Sequence, residues 1–132
     1  MADASYPDDL LYHAEHDWVR LDPDDPETAT FGITWFAQDA LGEVVFFDPP
    51  EVGTAVTRDE SYAEVESVKA VSVVIAPMSG EIVEVNTALG DGPEAINDDP
   101  YGAGWMVRVK LADASEKDGL LDAAAYTSTL SQ

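Results

Sequence analysis

No cysteine occurs in the 132 residues, so a disulfide or a protein thiol nucleophile is unavailable, and any sulfur redox chemistry has to arrive on an attached group. Positive charge is scarce as well. Lysine and arginine total 6 against 27 acidic residues, a formal net charge of -21, which repels phosphate backbones and anionic lipid headgroups over the whole surface. Neither nucleic acid nor a membrane surface is therefore expected as a partner. No apolar run approaches the roughly 20 residues that a membrane-spanning helix needs. The acidic stretch Met1–Asp9 lacks the basic leader and apolar core of an export signal and the arginines of an organelle transit peptide. These absences point to a cytoplasmic protein. So one-sided a charge strains a compact chain by self-repulsion unless counterions screen it, and the expectation that follows is the salt-rich cytoplasm of an adapted prokaryote.

What is present suits one compact domain over residues 1–132, because 45% hydrophobic content at this length fills a single core and leaves no room for a second. The core is expected over about 10–112, with a helical segment at 113–132. Short apolar–polar alternations separated by turn residues give a mainly β rhythm. Strands are expected at Asp17–Leu21, Ala29–Ile33, Glu43–Phe47, Ser61–Glu66, Val71–Pro77, Glu81–Asn86 and Trp105–Leu111. The loop Asp22–Glu27, with two prolines and like charges, is expected to end the first of these. Thr34 is placed to cap a short helix with Phe36, Ala37, Ala40 and Leu41 on one face, and Gly42 to close it. The turn-rich segment Asp91–Gly104 reads as an ordered surface loop. Ser115–Leu130 reads as a helix in two pieces, broken near Gly119 and Asp122.

Within this frame Lys69 stands apart. The other two lysines, Lys110 and Lys117, lie near the C-terminus, whereas Lys69 sits between two strand-like runs at the tip of a hairpin. That tip is Val68-Lys69-Ala70, none of them a turn former, and a tip built against local preference is the kind of exception functional sites produce. Three roles fit a lone lysine on a turn: attachment of a carrier group, Schiff-base catalysis, and plain solvation. Schiff-base chemistry needs a depressed pKa, and Glu64 and Glu66 nearby favour the charged ammonium. His13 and His16, three apart, invite a metal reading, but a zinc site needs at least three protein donors; turn or packing roles suit them better.

Glu66-Ser67-Val68-Lys69-Ala70 resembles the lipoylation sequence of the glycine cleavage system H proteins. So do Tyr12-His13, His16-Asp17-Trp18-Val19, Gly32-Ile33-Thr34, Leu41–Phe46, Ala76-Pro77, Ser79–Asn86 and Pro100-Tyr101-Gly102 with Gly104-Trp105-Met106, in the family's order and spacing over roughly residues 10 to 130. Biotin carriers set their lysine between methionines, and the lipoyl domains of 2-oxoacid dehydrogenases usually show Asp-Lys-Ala and lack the blocks around Trp18 and Tyr101; both fit worse. The resemblance implies a lipoyl-domain fold, a barrel-sandwich hybrid of two small antiparallel sheets with short helices and a C-terminal helix. It implies lipoate amide-linked to Lys69 as N6-lipoyllysine on a carrier that is not itself an enzyme.

The implied role is to shuttle the aminomethyl group of glycine from glycine decarboxylase to aminomethyltransferase and reducing equivalents to dihydrolipoamide dehydrogenase, after a lipoate ligase or lipoyltransferase has modified the lysine. A relay handing lipoyl groups to other enzymes is the alternative. The family holds its loaded arm in a surface cleft beside the opening strand, with an acidic residue pairing the amine. Asp17 takes the place of the usual Glu, one methylene shorter. Val73 occupies a position that is more usually acidic, and Glu15 is the candidate to compensate. For Asp17 the competing reading is a solvated strand residue.

Overall fold

A computed structural model of the protein describes residues 6–130; the outer ends of the expected domain, 1–5 and 131–132, lie outside the described residues. The chain begins with a three-residue strand, β1 (Leu11–His13), followed by β2 (Asp17–Asp22) and β3 (Asp25–Ile33). Helix α1 (Trp35–Leu41) leads to β4 (Val44–Asp48), and β5 (Ala55–Val56) precedes the hairpin of β6 (Ser61–Ser67) and β7 (Val71–Ile75). Then come β8 (Gly80–Val85), the single helical turn α2 (Ala95–Asp98), β9 (Val107–Leu111) and α3 (Ala123–Leu130), with 3-10 turns at Thr87–Gly90 and Ala114–Gly119. All strand pairs are antiparallel, in one sheet ordered β1-β2-β3-β9-β8-β5 and another ordered β4-β6-β7.

Period-2 alternation explains how the two sheets meet. Ala63, Val65 and Ser67 point inward on β6 while Glu64 and Glu66 point out; Val107, Val109 and Leu111 do the same on β9 against Arg108 and Lys110. These inward rows join Phe31, Met78 and Ile82 in the main core. A second, aromatic cluster lies where α3 covers β1 and β2: Tyr12 stacks on Tyr126 at 4.9 Å, and Trp18 is fully buried. The Trp18 indole donates to the Pro100 carbonyl at 2.9 Å. Gly32 lets it lie there, since a Cβ at that position would come within 2.6 Å of the ring.

Several expectations need correction. The loop expected at Asp22–Glu27 shrinks to Pro23 and Asp24, because β3 already starts at Asp25. Pro26 is tolerated because it falls where the β2–β3 register jumps from Asp22↔Asp25 to Leu21↔Ala29, so no ladder bond needs its missing N–H. Strands β1 and β5 were too short to show a period. The segment Asp91–Gly104 is no purely surface loop, since α2 drives Ile96 fully into the core. The C-terminal segment does form in two pieces, split after Gly119. Among the described residues no helix is long and apolar enough to cross a membrane.

Candidate functional site

The turn chemistry that Val68-Lys69-Ala70 lacks comes from Ser67. Its Oγ accepts from the amides of Lys69 at 3.3 Å and Ala70 at 3.2 Å, and its own N–H donates to the Ala70 carbonyl at 2.8 Å. A second restraint reaches the tip from outside the hairpin. The Val68 N–H donates to the Glu43 carbonyl at 3.0 Å, and the backbone around Glu43 is itself held by Asn97. The Asn97 side chain donates to the Gly42 carbonyl at 2.8 Å and to Gln38 Oε1 at 2.9 Å, and accepts from the Val44 N–H at 2.8 Å. The hairpin apex is thereby anchored to the exit of α1. Lys69 itself is exposed and, among the described residues, enters no salt bridge. Its side chain lies over Gly42, whose φ of 82° closes α1 and where a Cβ would sit 3.5 Å from Lys69 Cε. The side chain is therefore open to solvent.

A cleft of about 370 Å³ opens beside the hairpin. One wall is β7 from Ser72 to Ile75 with Val65; the other is the α1 face of Phe36, Ala37, Ala40 and Leu41; the remaining boundary carries Glu15, His16, Asp17 and Ile33. The helix face seen in the sequence therefore lines this cleft, with Ala37 and Leu41 also packed against the core. Ser72 lies on β7 just past the turn, three residues from Lys69 and therefore at most about 10 Å away along the chain, within reach of a lysine side chain lengthened by a medium-length acyl chain. Thr34 caps α1 by accepting from the Ala37 N–H at 3.3 Å and also bonds the Tyr126 hydroxyl at 2.8 Å, which in turn meets His16 Nδ1 at 2.7 Å. His16 adopts φ 75°, its ring 4.5 Å from that of Phe36, and its carbonyl accepts from the Thr34 N–H. Desolvation holds its pKa below the usual histidine value. His16 thus serves the turn and its packing.

The two acidic candidates come together here, in different surroundings. Asp17 is 1% exposed, which corrects the solvated-strand reading, whereas Glu15 is exposed at the cleft's rim. The Asp17 Oδ2 is buried with no hydrogen-bond partner. Burial, and secondarily the charge of Glu15, push its carboxyl well above the ordinary carboxylate range. A buried, unpartnered carboxyl oxygen beside an apolar-walled cleft is suited to a flexible ligand with a cationic end. Val73 is exposed and supplies no charge on the facing wall. Sequence reading missed Phe36 and Leu41 as cleft walls, although their helical spacing was visible. It also missed the partner of His13, Asp59, which lies 46 residues away.

A family model described as "Glycine cleavage H-protein" matches residues 10–132. The chain is 57% identical over 120 residues to the glycine cleavage system H protein of Halorhodospira halophila, covering 91% of each chain. It is 50% identical over 127 residues to the protein of that name from Escherichia coli, covering 96% of this chain and 97% of the relative. Among solved structures, a glycine cleavage system H protein from Mycobacterium marinum superposes with a TM-score of 0.86 at 45% identity, covering 96% of this chain and 99% of that one.

Proposed function

The chain belongs to the glycine cleavage H-protein family, and on that premise we propose that it is the lipoyl-bearing carrier of the glycine cleavage system, acylated on Lys69. The observation that carries this reading is an exposed amine on a doubly anchored hairpin tip beside a cleft with an orphaned carboxyl oxygen. The cleft fits the group: its apolar walls suit an aliphatic arm, and Asp17 suits a positive end. When bound, lipoate would supply the sulfur redox and group-accepting chemistry. Everything else falls to the protein. The hairpin presents Lys69 to a lipoate ligase or lipoyltransferase, and afterwards to glycine decarboxylase, aminomethyltransferase and dihydrolipoamide dehydrogenase in turn. Tethering keeps the reacting centre at high local concentration for each of them.

With the arm in the cleft, Ile33, Phe36, Leu41 and Val65 would exclude water, and Asp17 Oδ2 would be the acceptor available to a cationic end. Glu15 adds negative potential at the rim. Residues 1–132 act as one carrier domain with no catalytic centre of its own, working in the cytoplasm. Intact mass of the protein from glycine-degrading native cells is expected to show the lipoyl adduct, and Lys69→Arg to abolish it while leaving the fold intact. An unmodified Lys69 in such cells overturns the reading.

A further inference from the structure

The turn between β1 and β2 brings Glu15 and Asp17 to the cleft, and little packs behind it. A second cavity of about 610 Å³ lies on its far side, lined by His13, Glu15, Arg58, Asp59, Ile75 and Leu121 among others; Glu15 and Ile75 border both cavities. With a cavity bordering Glu15 on each side, contacts other than core packing have to hold it. The His13 ring, 8% exposed, meets that need. Its Nδ1 receives the Glu15 backbone N–H at 3.0 Å; an amide N–H only donates, so Nδ1 is unprotonated and the ring hydrogen sits on Nε2. Nε2 then donates to Asp59 Oδ1 at 2.7 Å.

Asp59 is held for this contact. It adopts φ 73°, a left-handed conformation that costs a non-glycine residue energy and persists where surroundings enforce it. Its N–H is fixed to the Ala76 carbonyl at 2.9 Å, just beyond β7, and Arg58 Nε lies 4.0 Å from the same carboxyl oxygen. The chain of contacts thus runs from the end of the β7 wall, through Asp59 and His13, to the backbone of Glu15 on the opposite boundary.

We propose that His13 and Asp59 form a positioning clamp that fixes the Glu15–Asp17 turn against the arm cleft and so sets how long a cationic cargo is retained there. The clamp rests on the cleft reading given above. Two readouts test it, one of which needs no cofactor. With Lys69 unmodified, hydrogen exchange of the Glu15 amide by NMR is expected to be slow in the parent protein, several-fold faster in Asp59→Ala and His13→Gln, and near the parent in Asp59→Asn, whose amide oxygen still accepts from Nε2. With the arm loaded, water converts the aminomethyl thioether to free thiol, formaldehyde and ammonium. Ammonium release in the absence of partner enzymes is expected to rise several-fold in the same two variants and to stay low in Asp59→Asn, with thermal melts confirming that each is folded.

Equal behaviour of Asp59→Asn and Asp59→Ala overturns the clamp, because a packing role would not distinguish a retained acceptor from a deleted one. A faster Glu15 amide with unchanged ammonium release also overturns it, showing a held turn without bearing on cargo. If the parent releases ammonium as fast as the same group on free lipoamide, the cleft reading itself fails, and the clamp's role falls with it.

Discussion

Asp17 carries a cost that its position explains. Burial favours the neutral form, so the folded protein holds this proton more tightly than the unfolded chain does. The stability associated with the residue is then intact below about pH 4, the range of an unfolded aspartate, and is lost as pH rises through the raised folded value. Asp17→Asn removes that loss. In the unlipoylated protein it is expected to raise stability at pH 7 by about 1–3 kcal/mol, with the difference vanishing below about pH 4, in denaturant titrations run at several pH values. A variant less stable than the parent at pH 7 contradicts the orphaned-carboxyl account. Little of this was legible beforehand. The sequence showed a carboxylate before Trp18, but whether it faces water depends on the turn at His16 and on α1 closing over it. The His13–Asp59 contact was equally hidden, since nothing local to either residue marks a pairing across 46 positions.

Among the elements, the β6–β7 hairpin was readable because an alternating run before Lys69 and an apolar, β-branched run after it leave only one place to reverse. What makes the reversal was not, since Ser67 works through its side chain instead of through turn propensity. Ser67→Ala is expected to cost about 1 kcal/mol of stability and to slow acylation of Lys69 by a purified lipoate ligase, without abolishing it; an unchanged rate shows that the Glu43 anchor alone shapes the tip. Helix α1 was legible in its caps, Thr34 and Gly42, and misleading in its function. Its apolar face signals burial by periodicity, and periodicity carries no information on whether a core or a cleft lies opposite. Short strands such as β1 and β5 fall below the length at which a period can be counted, and Pro26 looked like a stop because the register shift that accommodates it arises only on pairing.

For the molecule as a whole, the charge of -21 is the dominant long-range term, and few cations oppose it: Arg108 bridges Asp22 at 2.9 Å and Glu84 at 3.5 Å on the six-stranded sheet. Raising KCl from millimolar to molar concentration is expected to increase the melting temperature by screening the repulsion; equal melting in both sinks the salt-adaptation reading. The fold was readable through its strand rhythm and the blocks around Trp18, Lys69 and Tyr101. The cleft was not, because it is assembled from residues 15–17, 33, 36, 37, 40, 41, 65 and 72–75, which only the completed two-sheet packing brings side by side. One mechanical result follows from the hairpin apex being tied by Ser67, Val68 and, through Glu43, by Asn97. On the proposed acylation of Lys69, the pivot of the arm is fixed to the fold, so its working volume is a dome whose radius is the arm's own length. On that proposal each partner enzyme has to open its reaction chamber inside that dome, or have a doorway wide enough to admit the apex itself.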